Sequence, residues 1–237
     1  MVRARGGRAV LWRPQLTTPD CPRMPARHVI QAEALAWLEA HPAPPNTSVI
    51  TSLPDISELS VLDLPSYKHW FNDAARRVMR WVSSNGVAIF YQSDIRHGGT
   101  WVDKGYLIVR AAEDEQSHLV WHKIVCRRPP LTVAVGRPSY SHMICVSRTP
   151  MPLTMKPGPD ILPDAGHMSW SRAMGATACT VACRFVRENT DTMTIVDPFC
   201  GRGTLLAVAN DLGFDAVGVD IGGKRCRSAR KARLVTP

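Results

Sequence analysis

One stretch near the end of the chain, Ile195-Val-Asp-Pro-Phe-Cys-Gly-Arg-Gly-Thr204, constrains the fold more than any other. An apolar run that ends on Asp-Pro and passes through two glycines reads as a buried strand, a tight turn and then a helix over Leu205 to Leu212. A second strand follows, Ala216-Val-Gly-Val-Asp220, and it closes on an acid. Strand, glycine turn, helix, strand and closing acid form the unit with which doubly wound sheets hold a nucleoside cofactor. Such a unit normally opens its domain. Here only 17 residues follow Asp220, so the remaining strands are expected from upstream, in a circularly permuted order.

Apolar residues make up 45% of the 237, enough for one sizeable core, which excludes global disorder. No apolar run approaches the ~18–20 residues of a membrane span, so a soluble protein without a membrane partner is expected. The seven cysteines are odd in number and come without a secretory signal pattern. They point to free thiols in a reducing, intracellular compartment, the cytoplasm being the expected one. Cys179 and Cys183 are spaced i, i+4, with Cys200 and Cys226 scattered beyond. A zinc site wants tighter pairing, so these are expected as small buried side chains and no metal site is expected.

The net charge of +9 is concentrated at the two ends. Residues 1–27 carry six arginines and one acid, and residues 222–237 carry six lysines and arginines and no acid. Together the ends hold +11, which leaves residues 28–221 at −2. Basic ends suit a polyanion partner or a plain solvated face. The arginine-rich start is also compatible with an organelle transit segment. Lys224 and Arg225, at the start of the last helix, are the basic residues placed nearest a cofactor.

Residues 1–27 read as an irregular basic extension and residues 28–237 as one domain. Strands are expected near 28, 48, 87, 119, 141, 193 and 216. Helices are expected over Ala34–Leu38, Tyr67–Trp81, Trp101–Ala112 and Met174–Arg187, and loop over 149–166. Alternating strands and helices predict an α/β, Rossmann-like, doubly wound, seven-stranded and mostly parallel sheet.

In order along the chain stand Val29-Ile-Gln-Ala-Glu33, Thr51-Ser-Leu-Pro-Asp55, Val120-Trp-His-Lys123, Ser141-His-Met-Ile-Cys145 and Asp197-Pro-Phe-Cys-Gly-Arg-Gly-Thr204. This order resembles the permuted S-adenosyl-L-methionine-dependent amino-methyltransferases, a group that includes DNA N4-cytosine and N6-adenine enzymes. The resemblance covers roughly residues 28–233, and it implies a sheet with one antiparallel strand, an enzyme, and S-adenosyl-L-methionine as the cofactor. Gly201 and Gly203 would let the backbone approach a bulky ligand. Asp197 would hold the ammonium group of the methionine part. Asp220 would accept from the ribose hydroxyls, or else cap the helix over Gly222–Lys231. Glu33 would accept from the adenine amine or remain a surface acid. Pro198, Phe199, Thr204 and Ile221 complete the implied cofactor set. No third glycine stands at position 206, which argues against a dinucleotide.

The family's catalytic tetrapeptide, Asp/Asn/Ser-Pro-Pro-aromatic, corresponds here to Ser52, Leu53, Pro54 and Asp55. By that resemblance Ser52 Oγ and the Leu53 carbonyl would keep the acceptor roles toward an amine, while a carboxylate replaces the stacking ring. Asp55 is open to three readings: a general base, a ligand for a ring N–H, or a cap for the turn Ile56-Ser-Glu58. Tyr67, Trp70 and Tyr91 are open as replacement rings or as core. Gln92, Asp94, His122, Lys123 and His142 are expected to make structural hydrogen bonds. Only 19 residues separate Ser147 from His167, too few for a recognition insert, so a nucleic acid read by shape, RNA rather than DNA, is the expected partner. A base of transfer or ribosomal RNA is the expected target. The alternatives are DNA adenine-N6 or cytosine-N4 methylation, and a donor-binding protein with a degraded tetrapeptide.

Overall fold

Short apolar runs bounded by turns become the buried strands of one sheet. A computed structural model describes residues 24–152, 154–170 and 173–234, and most of the basic extension expected over 1–27 lies outside them. In chain order the elements are β1 (Arg27–Gln31), α1 (Ala34–Ala40), β2 (Thr47–Thr51), a 3-10 turn (Ile56–Glu58), α2 (Leu64–Trp81), β3 (Val87–Gln92), β4 (Ile95–His97), β5 (Thr100–Val102) and α3 (Lys104–Asp114). Then come β6 (His118–Cys126), β7 (Tyr140–Ser147), β8 (Ile161–Leu162), α4 (Ala176–Asn189), β9 (Thr194–Asp197), α5 (Thr204–Asp211), β10 (Asp215–Asp220) and α6 (Gly223–Lys231).

Among the described residues the main sheet has eight strands in the order β1-β10-β9-β2-β3-β7-β6-β8. All seven expected strands are present. The eighth, β8, is a two-residue edge strand parallel to β6 within the stretch expected as loop. β7 alone runs against its neighbours, antiparallel to both β3 and β6. The late strand β9 sits between β10 and the early strand β2, with Val49 opposite Val196. β1 completes that side, with Val29 opposite Gly218 and Gln31 opposite Asp220. The front of the chain and its end therefore share one sheet.

Leu35 and Leu38 of α1, α2 and α3 cover one face, and α4, α5 and α6 cover the other. On α2, Tyr67, Phe71, Ala74, Ala75 and Val78 recur at the helical period and are buried. Burial of Phe71 and Val78 stabilises the fold by about 1.5–3 kcal/mol each. Asp63 starts this helix earlier than the periodicity indicates, by accepting from Ser66 N at 2.9 Å. The helix expected from Trp101 begins instead at Lys104. Gly98 and Gly99, both at positive φ, close a two-residue hairpin between β4 and β5 that takes Trp101 into a strand. Asp103 then caps α3 through Tyr106 N. Among the described residues no helix is long and apolar enough to cross a membrane. Cys179, Cys183, Cys200 and Cys226 are all buried.

Candidate active site

Chain segments leaving the carboxyl ends of β1, β2, β9 and β10 wall a cavity of about 540 Å³. Nine residues singled out in the sequence lie on its wall: Glu33, Asp197, Pro198, Phe199, Gly201, Gly203, Thr204, Asp220 and Ile221. Gly201 and Gly203 adopt left-handed backbone, at φ 54° and 82°, which a Cβ disfavours. Their surroundings differ. A Cβ on Gly203 would come within 2.8 Å of Ala229 on α6, whereas at Gly201 only the Trp170 ring, 3.9 Å away, comes within reach. Close helix packing thus fixes Gly203, and Gly201 is the glycine that leaves room for a ligand.

Asp220 ties this turn together. Its Oδ2 accepts from Gly201 N at 3.1 Å, and its Oδ1 accepts from Gly222 N at 2.6 Å and Arg225 Nε at 2.8 Å. The N-cap position of α6 belongs to Gly222, not Asp220. Asp197 is buried beneath the cavity, where Oδ1 accepts from Thr51 Oγ1 at 2.7 Å and from Phe199 N at 3.1 Å. Burial, with a contribution from the Asp220 charge, pushes this carboxyl up to about 7. Glu33 is exposed at the rim and caps α1, taking Leu35 N and Ala36 N at 3.1 and 2.7 Å.

Ser52, Leu53 and Pro54 line the same cavity, and Asp55 does not. The Tyr67 hydroxyl donates to the Pro54 carbonyl at 3.1 Å. Burial, then the charges of Asp55 and Glu58, raise that phenol well above its ordinary range, so it stays protonated. Asp55 turns its carboxylate to two cations: Arg137 Nη2 at 3.0 Å from Oδ2 and Lys104 Nζ at 3.5 Å from Oδ1. Its backbone closes the following turn, with Asp55 N donating to Glu58 Oε2 at 3.1 Å. Lys104 is 3% exposed and lies 5.8 Å from the rings of both Tyr67 and Phe71. Burial pulls its ammonium below the usual lysine range, and Asp55 opposes that shift.

Of the three rings considered in the sequence, half-buried Trp70 reaches the cavity, edge-on to Phe199 at 6.3 Å. Tyr67 lies in the core beneath, and Tyr91 is buried on the opposite sheet face. Lys123 is fully buried, with Nζ donating to Pro159 O at 2.9 Å. His142 joins buried Asp94 at 3.0 Å to exposed His122 at 2.8 Å. A Cβ on Gly105 would lie 3.1 Å from the His142 ring, so that glycine makes room for it. Trp170, Met174 and Arg202 also line the cavity and were missed in the sequence. An aromatic ring standing between the Pro/Gly-rich loop and the following helix, as Trp170 does, was the available signal.

No family model and no curated protein sequence matches the chain. Solved structures do. TTHA0409 from Thermus thermophilus, a proposed DNA modification methylase, superposes with a TM-score of 0.67 at 17% identity over 87% of this chain and 93% of its own. The PvuII DNA methyltransferase, cytosine-N4-specific, gives 0.67 at 15% identity over 88% of each chain. M1.HpyAVI, in complex with S-adenosyl-L-methionine, gives 0.56 at 12% identity over 86% of this chain and 98% of its own. The chain shares the fold of these proteins. Open α/β sheets bind ligands outside the carboxyl ends of their strands, and that is where the cavity lies.

Proposed function

We propose that this chain is an S-adenosyl-L-methionine-dependent methyltransferase that modifies a base of a nucleic acid. One observation carries the reading: the glycine-turn residues and Ser52-Leu53-Pro54 wall one cavity, so a methyl donor and an acceptor can be held face to face. The order along the chain, acceptor loop before donor turn, supports reading the domain as circularly permuted.

The residues fit the donor. The cavity volume falls within the ~300–1,000 Å³ typical of cofactor sites, and its wall is largely apolar, with Phe199, Ile221 and Leu35 available to flank a purine. Asp197, held as an acid by burial, becomes a carboxylate beside an ammonium group, which lowers its pKa. Asp220 accepts ribose hydroxyls by exchanging one of its present partners, and Arg225 is the one that can swing away. When bound, the donor supplies a methyl group on a sulfonium centre. The chain's task is then to exclude water and to align the acceptor amine. Ser52 Oγ and the Leu53 carbonyl accept from that amine, and the Tyr67–Pro54 bond fixes the loop that presents them. Trp70 supplies the flat surface that position 55 lacks.

The expectation of RNA rested on the missing recognition insert. That argument loses its force beside the PvuII enzyme, a named DNA methyltransferase of which 88% is covered by this chain. A DNA base amine, adenine N6 or cytosine N4, is therefore the preferred acceptor. The test is incubation of the full chain with methyl-labelled donor and, separately, genomic DNA and total RNA, followed by nucleoside mass analysis. Label in DNA supports the reading in full. Label in RNA alone keeps the methyltransferase and removes DNA. Donor bound with label in neither leaves a binding protein, and no donor binding removes the reading altogether.

A further inference from the structure

The loop between β6 and β7 inverts the usual surface pattern. Leu131 and Val135 are fully exposed and Val133 is 89% exposed, while Thr132 and Ala134 between them are half-buried. A loop lying on a protein surface would turn its large apolar groups inward; this one holds them out to solvent. Its base is pinned: Arg127 N and Arg128 N donate to Ser139 O at 2.7 and 3.2 Å. Farther along, Arg137 is paired with Asp55 of the tetrapeptide at 3.0 Å. Residues 127–139 carry three arginines and no acid, whereas residues 28–221 as a whole are net negative. The loop leaves the sheet at the same carboxyl end of the strands as the cavity, because β6 runs parallel to the other strands through reversed β7.

Resting on the nucleic-acid reading above, we propose that this loop is a wedge that docks on a DNA duplex, with Arg128 at its base toward phosphate and its Leu131, Val133 and Val135 tip entering a base step. Exposed apolar side chains inserted between steps unstack and kink B-form DNA, and a base must leave the stack before it can enter a recessed cavity. Branched aliphatic groups lack the flat faces by which proteins hold single strands. A-form RNA offers side chains a deep, narrow major groove and a shallow minor one. Both facts favour duplex DNA. The Arg137–Asp55 pair joins the wedge directly to the loop that presents the acceptor.

The test uses the full chain with donor present and a labelled duplex of mixed sequence, read by fluorescence anisotropy. The variant is Leu131→Ser/Val133→Ser/Val135→Ser. It should bind the paired duplex roughly tenfold more weakly, and a duplex with a central mismatch with a much smaller loss, because a mismatch is already cheaper to unstack. Donor affinity and Tm should not move, since the three side chains touch no core. Arg128→Ala should lower the salt slope of binding by about one. Unchanged duplex binding by the triple variant overturns the wedge. So does an equal loss on single strands, or a loss of self-association in sedimentation, which would make the tip a contact between copies. Failure of the wild-type chain to bind duplex overturns it as well. Failure to bind donor by calorimetry counts instead against the methyltransferase reading, so the two failures are distinguishable.

Discussion

On the glycine-turn side of the cavity, a short run after β9 and the ends of β10 and β1 supply the wall, and its key acid is held by backbone amides and a neighbouring arginine. On the tetrapeptide side, three consecutive residues reach the cavity and the fourth is pulled away from it by cations from α3 and a distant loop. Asp220 binds Gly201 N and Gly222 N; Asp55 binds Arg137, 82 residues away, and buried Lys104. The first half is built by local geometry and the second by long-range charge pairing. Substitutions in the first should therefore disturb ligand affinity, and substitutions in the second should disturb stability and loop position.

The sharpest way to break this contrast is Lys104→Met. It leaves the buried Asp55 carboxylate with Arg137 as its remaining cation, and removing one partner of a buried pair costs about 3–5 kcal/mol. Urea unfolding should show a loss near the lower end, since Arg137 remains. The double variant Lys104→Met/Asp55→Leu should recover much of it, because an apolar pair replaces a stranded charge. A loss under about 1 kcal/mol for Lys104→Met would mean that the pair is solvated and the tetrapeptide is held by something else.

Asp220→Ala and Asp55→Ala sharpen the comparison next. Asp220→Ala removes the acceptor shared by two backbone N–H groups and Arg225, each charge-assisted bond worth roughly 1.5–3 kcal/mol. Donor Kd by calorimetry should weaken by about 100-fold, or close to 3 kcal/mol. Asp55→Ala should leave donor Kd within about twofold and lower turnover by freeing the Ser52–Pro54 loop. Equal weakening of donor binding by both would erase the distinction between the halves.

The pH response separates the halves again. Asp197 has a folded pKa of about 7 against an ordinary value of 3.8, so the ligand-free protein keeps a proton that the unfolded chain releases. Its contribution to stability is complete below about pH 4 and is lost as pH rises toward 7. Donor binding runs the other way, because an ammonium group needs the carboxylate. Affinity should tighten by up to about tenfold per unit from pH 5 to 7 and then level. Asp197→Asn should flatten that profile at the weak end. A wild-type profile already flat across this range would place the ammonium group elsewhere.

How much was legible in the sequence follows the same divide. The glycine turn, its helix and the closing acid lie close together in sequence, so residue type and spacing located Asp197, Gly201, Gly203 and Asp220, and the family resemblance added Pro198, Phe199, Thr204 and Ile221. Strand existence was also readable, because parallel strands buried on both faces are unbroken apolar runs. The orientation of Asp55 was not, since Lys104 and Arg137 meet it only after β3, α3 and β7 have assembled. The start of α3 was misplaced because a Gly98-Gly99 hairpin and the Asp103 cap outweigh the apolar spacing around Trp101. The tight fit of Gly203 on Ala229 also depends on tertiary packing, and it gave that glycine a reason beyond ligand access.

Glu33 offers the smallest and most discriminating effect, because it belongs to both local structure and the cavity rim. Both its oxygens already accept from the first turn of α1, at Leu35 N and Ala36 N. Glu33→Gln keeps one acceptor oxygen and removes the charge that favours a helix N-terminus, a cost of about 0.5–1 kcal/mol in stability. If capping is its work, donor Kd should change less than about threefold, and a purine-amine contact contributes little beyond that. A loss of tenfold or more in donor affinity, with Tm unchanged, would mean that the carboxylate leaves its cap for the adenine amine when ligand binds. The glycine-turn half would then reorganise on binding, and its geometry without ligand would no longer be the geometry that holds the donor.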